Sequence, residues 1–294
     1  MLPSYLDRLM NDLDDIEAEF LGVIGRSSVV QSTLNDGNSG IEFIGLPLYY
    51  WGPSTPDLER DRMALLARVR AWTVRFRLLF PVLTLEVAER HGKALGVLDG
   101  WLLREGRDHH VPASVDAARS ALGKQVEVLR AARGLLPPND WAVRLIPDTN
   151  ALIDEPDLAA YIGVLGPVYM AHVMPVVLRE LDDLKRSGRT EKLRDAARRA
   201  DRRLKGLRDN GDVRVGAKVA GGVLAVFEHE DPRREGLPTW LDMDVADDRL
   251  VAAVVALQSL HPMSAVHVAT GDLNLQTKLA AVGLPFIDPD ELHA

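Results

Sequence analysis

Apolar positions along this chain follow two different periods, and the change comes near its middle. In the first half they recur at helical spacing, with Leu6, Leu9, Met10, Leu13, Ile16 and Phe20 lining one face of a helix predicted over residues 5–20. A second helix is predicted from Asp57 to about Phe80, with Pro81 as its stop. Helical patterning resumes over Val82–Arg104, with interruptions expected near Gly96 and Gly100, and a further helix runs from the cap Ser114 to Arg133. Residues 26–56 are rich in Ser, Gly, Asn and Pro and read as a long loop, with a short extended piece at Ile41–Ile44. Gly134–Asn139 (GLLPPN) reads as a linker. Residues 1–140 are therefore expected to form an all-helical domain, a small bundle without internal repeats.

In the second half short apolar runs alternate with helical stretches. Strands are predicted at Val143–Ile146, Ala171–Met174, Gly222–Phe227, Ala265–Ala269 and Leu284–Ile287, the third alone or in a hairpin with Val213–Val215. Helices fill 156–164, 176–186, 190–209, 247–260 and 274–282. Alternating strands and helices predict an α/β domain with a mainly parallel sheet over 141–294. Function in such sheets gathers at the carboxyl ends of the strands.

Composition narrows the class. A chain of 294 residues with 47% hydrophobic and 27% charged residues has room for two domains, each with its own core. There is no cysteine, which excludes disulfides, thiolate metal sites and cysteine nucleophiles. No run approaches a membrane helix, the acidic first twenty residues resemble no signal or transit peptide, and a cytoplasmic location is expected.

Net charge is −8, unusual for a nucleic-acid binder, so its distribution decides. Lys185–Arg208 carries a local +8, while the rest of the second half sums to −13. A basic ridge beside acids suits a phosphodiesterase that holds cations with carboxylates and phosphates with arginine, and it equally suits a solvated helix. Arg194, Arg198 and Arg202 lie on one helical face, with Arg199 and Arg203 beside them and Lys185 nearby, as candidate RNA contacts. Arg68, Arg70, Arg75 and Arg77 flank Trp72 and Phe76, either as a partner surface or as arginines flanking a bundle core. Asp108, His109 and His110 have ligand chemistry but read as a surface loop.

Acids fall where the α/β pattern places function. Asp148 follows the first strand, Glu180 lies in the helix after the second, Asp248 opens a helix, and Asp272 follows the fourth strand. Alone, Asp148 or Asp272 would be a helix cap, Glu180 a solvated residue, and Asp247 with Asp248 favourable charges on a helix dipole. Together they offer oxygen ligands only, a set that selects Mg2+ or Mn2+.

These residues and their neighbours (Asp148-Thr149-Asn150, Arg179-Glu180-Leu181, Asp247-Asp248-Arg249-Leu250 and Thr270-Gly271-Asp272-Leu273-Asn274) resemble the ordered motifs of PIN domains. The resemblance covers about 143–288 and is closest to the branch found with PhoH-type ATPases. It implies a PIN-like (FEN-like) three-layer fold and an endoribonuclease in which Asp148, Glu180, Asp248 and Asp272 bind Mg2+ or Mn2+. Asn150, Asn274, Thr149, Thr270 and Asp247 would support them. Asp244 and Asp247 compete with Asp248 for the third address. RNA is the expected partner and no membrane is expected. A homo-oligomer, and a separate partner for the helical half, are left open. The rival readings are a catalytically weak RNA-binding or scaffold module, a toxin-type ribonuclease of a toxin–antitoxin pair, and a DNA nuclease on the same scaffold.

Overall fold

The computed structural model describes residues 2–32, 48–80, 82–104, 111–138, 140–234 and 237–293. Pro81, Asn139, the Ile41–Ile44 piece and Asp108-His109-His110 lie outside them. The chain divides into two compact units, one of Arg8–Leu136 and one of Met1–Asp7 with Pro137–Ala294. No helix among the described residues is long and apolar enough to cross a membrane.

The first unit is helical. Helix α1 (Tyr5–Gly25) extends past the expected end because Val23 and Ile24 continue its buried face. Two short strands, β1 (Val29–Gln31) and β2 (Tyr49–Trp51), pair antiparallel at either end of the stretch expected to be loop. Helix α2 (Pro56–Leu78) starts where the Thr55 hydroxyl accepts from Leu58 N–H and Pro56 fills the first turn. Its Trp72 is fully buried and donates its indole N–H to Leu9 O at 2.8 Å. Helix α3 (Leu85–Leu103) runs through Gly96 and Gly100 without the expected break. Burial of Leu95, Leu98, Trp101 and Leu102 outweighs the roughly 1 kcal/mol that each helical glycine costs. Helix α4 (Val115–Ala131), capped by Ser114, passes into a 3-10 turn over Ala132–Leu135, so the expected linker begins as helix. Arg68, Arg70 and Arg75 pair with Glu19, Asp99 and Asp12 respectively, which ties them to the bundle's own surface.

The second unit is α/β with a mainly parallel sheet. Its elements are β3 (Val143–Pro147), α5 (Thr149–Asp154), α6 (Ile162–Leu165), β4 (Val168–Val173), α7 (Pro175–Ser187), α8 (Glu191–Gly206), β5 (Ala217–Ala220), β6 (Gly222–Phe227), α9 (Ala246–Leu260), β7 (Ala265–Ala269), α10 (Leu273–Ala281) and β8 (Phe286–Ile287). Strand order is β5-β6-β4-β3-β7-β8, parallel except for the β5 edge. Every residue of β3 and β7 is buried, so the centre of the sheet is covered on both faces. From β3 the chain moves outward through β4 and β6, then returns to the other side of β3 as β7. The strand order therefore reverses between β3 and β7, and a crevice opens at their carboxyl ends.

Two expected elements are displaced. The helix expected at 156–164 is a run of turns ending in the single turn α6, while the helix proper, α5, comes earlier. Pro156 and the Asp157 carboxylate, which accepts from Ala159 N–H, break the helix there, and the spacing of buried Leu158, Tyr161 and Leu165 imitates a helical period. The strand expected at Val213–Val215 is a turn closed on Asp212 O, and the hairpin forms instead between β5 and β6 around Gly221, whose φ is +52°.

Candidate metal centre at the carboxyl ends of the central strands

Asp148 leaves β3 at the reversal point, where its N–H donates to Ala269 O, the last residue of β7, at 2.9 Å. Its side chain caps α5, accepting from Ala151 N–H at 2.6 Å, and only 5% of the residue is exposed. Burial pushes this carboxyl above the ordinary aspartate range. The charges of Asp272 and Glu180 add to the rise, while hydrogen bonds from Thr270 and Ala151 oppose it.

Glu180 comes from α7, which follows β4. The Thr149 hydroxyl, next in sequence to Asp148, donates to Glu180 Oε2 at 2.5 Å. Asp272 caps α10, its Oδ1 accepting from Asn274 N–H at 2.7 Å and Leu275 N–H at 3.0 Å. The fully buried Thr270 links the two aspartates, because its hydroxyl hydrogen-bonds Asp148 and accepts from Asp272 N–H at 3.1 Å. Thr270 thus joins Asp148 to Asp272, while Thr149, the residue after Asp148, holds Glu180.

The third address divides its acids. Asp244 is exposed, its N–H donating to Asp242 Oδ1 within a turn. Asp247 lies toward α10, with Asn274 Nδ2 at 3.4 Å. Asp248 is buried, its Oδ2 accepting from Asp242 N–H at 2.8 Å and its Oδ1 lying 2.6 Å from Lys278 Nζ. Burial works against this charge, but the Lys278 ammonium and the Asp242 N–H prevail and hold its carboxyl below the ordinary aspartate range. Asn150 is exposed in the first turn of α5.

Sequence reasoning passed over two polar groups here. Lys278 reads in a sequence as a favourable charge near a helix end. Asp288 stands after β8, a strand of two residues, and accepts from Gln276 Nε2 at 3.4 Å. The carboxylates offer a hard cation oxygen donors only. Among the described residues, however, no three His, Asp or Glu groups are drawn together tightly enough to form a ready cage.

The basic ridge flanks this centre. Helix α8 buries Ala196, Ala197, Ala200 and Leu204, and packs against α5 and α7, which carry Asp148's cap and Glu180. Lys185 is committed between Asp182 at 2.5 Å and Asp201 at 2.9 Å. Arg194 donates to Gly188 O and pairs with Glu191, and Arg198 pairs with Glu191 and Asp195. Arg203 pairs with Asp157 at 3.1 Å. Arg199 and Arg202 are exposed on α8 and pair with no carboxylate among the described residues.

Residues 145–289 match the family model described as PIN domain. No curated protein matches the chain.

Proposed function

The C-terminal half of this chain is a PIN domain, a nuclease-type fold, and from that premise we propose that it cleaves RNA at the carboxyl ends of β3 and β7 with the help of Mg2+ or Mn2+. The observation that supports this reading is buried Asp148 at the reversal point of the sheet, joined to Asp272 through Thr270 and feeling the charge of Glu180, which the adjacent Thr149 holds. A divalent ion bound there supplies Lewis acidity, activating water and offsetting charge on the phosphate.

The chain's own residues do the rest. Asp148, Glu180 and Asp272 would hold the ion, and each has a carboxylate oxygen oriented by a neighbouring N–H or O–H. Burial of Asp148 beside two like charges makes a cation welcome. Thr149 and Thr270 keep the ligands aimed. Arg199 and Arg202, exposed on the neighbouring helix, offer phosphate contacts along the approach. The supporting set includes no serine or histidine nucleophile, and none is required, since water attacks the phosphorus.

Incubating the protein with assorted RNAs and DNAs in Mg2+, Mn2+ or EDTA tests the proposal. Expected are RNA cleavage with metal, none with EDTA, and none in Asp272→Asn, which should keep its RNA affinity. Cleavage of DNA alone would turn the reading to a DNA nuclease, and binding without cleavage under every condition would turn it to an RNA-binding module.

A further inference from the structure

We propose that a cavity between α3 and α4 of the helical unit is a binding site for a small organic carboxylate. Arg90 and Lys124 hold its acid group, and one face of α4 holds a short apolar body. The cavity belongs wholly to the first unit, so it stands whether or not the second unit cuts RNA.

Three features carry it. The cavity holds about 340 Å3, at the small end of the roughly 300–1,000 Å3 usual for small-molecule sites. Its charged wall has two cations, Arg90 on α3 and Lys124 on α4, both exposed and neither paired with a carboxylate among the described residues. Glu127 lines it too, but its Oε1 is 2.5 Å from Arg130 Nη1, so that charge is already answered. The second feature is His91, which lines the cavity at 4% exposure and whose Nδ1 has no hydrogen-bond partner. On the α2 side Phe76 and Phe80 meet its ring edge-on, with centroids at 5.5 and 5.3 Å, and they offer it no acceptor. A buried ring nitrogen without a partner is destabilising, and the cavity is where a partner can reach it. Burial, helped by Arg90, holds this ring below the ordinary histidine range, so it meets the cavity as a neutral imidazole able to donate one hydrogen bond. Third, Lys124, Val128, Ala131 and Leu135 follow one another at helical spacing, so charge gives way to apolar surface along one face. A guanidinium grips both oxygens of a carboxylate in a fork, which suits the charged end. The apolar run suits a chain or ring of a few carbons. An acid with an apolar tail meets both ends of the cavity, and a bare anion meets one.

Calorimetric titration of the full chain with octanoate and 3-phenylpropionate tests this, with octanol and inorganic phosphate as probes of each half of the site. At least one of the two acids should bind saturably, one per chain, and at least tenfold more tightly than octanol or phosphate. Arg90→Met with Lys124→Met, both at the surface, should weaken that binding at least tenfold while melting without the probe stays unchanged. His91→Phe, which keeps a ring and removes its polar edge, should weaken it at least threefold. In the wild type the His91 ring resonances should move on saturation and its titration should shift upward, since a nearby carboxylate favours the charged imidazole. Failure of both acids to bind saturably would overturn the proposal, as would unchanged affinity in Arg90→Met with Lys124→Met. Octanol bound as tightly as octanoate would make the cavity an apolar gap, and phosphate bound as tightly would make it a charged surface. Either result overturns the carboxylate assignment. Should His91→Phe fail to fold, the double variant and the wild-type His91 resonances still decide.

Discussion

Asp148 caps a helix and also stands buried beside two other acids, and these roles respond differently to substitution. In Asp148→Asn the amide oxygen can still accept from Ala151 N–H, but the buried charge is gone. Because burial and the charges of Asp272 and Glu180 oppose ionisation of this carboxyl, the variant should melt a few degrees above wild type in EDTA. With Mn2+ the order should reverse. The wild type gains about 2.7 kcal/mol at a hundredfold excess over Kd, while the variant, short of a ligand, gains little. Equal gains would place the ion elsewhere. A second residue-scale prediction concerns His261, which burial, Arg144 and His172 together hold down to about 4 against the opposing charge of Glu228. An unfolded histidine titrates near 6.5, so between the two values the unfolded chain binds the extra proton, and stability is lost as pH drops from about 6.5 toward 4. His261→Asn should flatten this acid limb by on the order of 1 kcal/mol, a modest effect because the ring is partly exposed. Chemical denaturation at pH 7 and pH 4.5 measures the difference, and an unchanged limb would assign it to other groups. At this scale the positions of the acids were legible in the sequence, and the counter-charge beside Asp248 was not. Asp148 and Asp272 follow predictable strands, but the partner of Lys278 lies on another helix, and nothing local in QTKLAAV points to it.

Helix α8 owes its place to small side chains. Ala197 and Ala200 are fully buried, which lets α8 approach α5 and α7 closely, and the long arginines are thereby left on the outer side. Ala197→Leu should therefore overpack this seam and cost about 1–3 kcal/mol, lowering the melting temperature by several degrees. Arg199→Ala with Arg202→Ala should leave melting unchanged. It should instead weaken RNA binding and reduce the slope of log affinity against log salt by up to about 0.7 for each lost single-strand phosphate contact. Binding that is undiminished at every salt concentration would mark this face as solvated surface. The periodicity of this helix was readable in advance, yet which arginines remain free depends on Glu191, Asp195 and Asp157 reaching particular guanidinium groups. The same limit explains the two displaced elements. Leu158, Tyr161 and Leu165 carry a helical rhythm through a set of turns, and the six-residue α5 is too short to show a rhythm at all.

Across the whole molecule, chain order and unit membership part company at the start. The helical pattern of residues 5–20 assigns the first residues to the helical half, but the structure groups Met1–Asp7 with Pro137–Ala294. Ser4 opens α1 by accepting from Asp7 N–H at 3.0 Å. The next residues join the connection between α9 and β7, where Tyr5 N–H donates to Ser264 O and Leu6 N–H to Pro262 O, each at 3.2 Å. Tyr5 is buried, and its hydroxyl donates to Val282 O at 3.4 Å. Hydrophobic period alone could not reveal this, because Tyr5 and Leu6 satisfy a helical face whichever core receives them. The docking point lies before β7, at the end of the sheet away from the acids, so its loss should act on stability and spare chemistry. Tyr5→Ala removes a buried aromatic ring and should cost about 3–5 kcal/mol, the range for large-to-alanine changes in cores. A fragment of residues 137–294 should likewise melt below the transition that the same residues show in the full chain, while its RNA cleavage per folded molecule at low temperature stays within a few-fold of the full chain's. Scanning calorimetry of the full chain, Tyr5→Ala and the fragment separates the outcomes. Were the fragment to melt with the full chain, the first seven residues would be passengers on the second unit. Were cleavage per folded molecule to fall with stability, the docking point would be coupled to the acids through β7 itself.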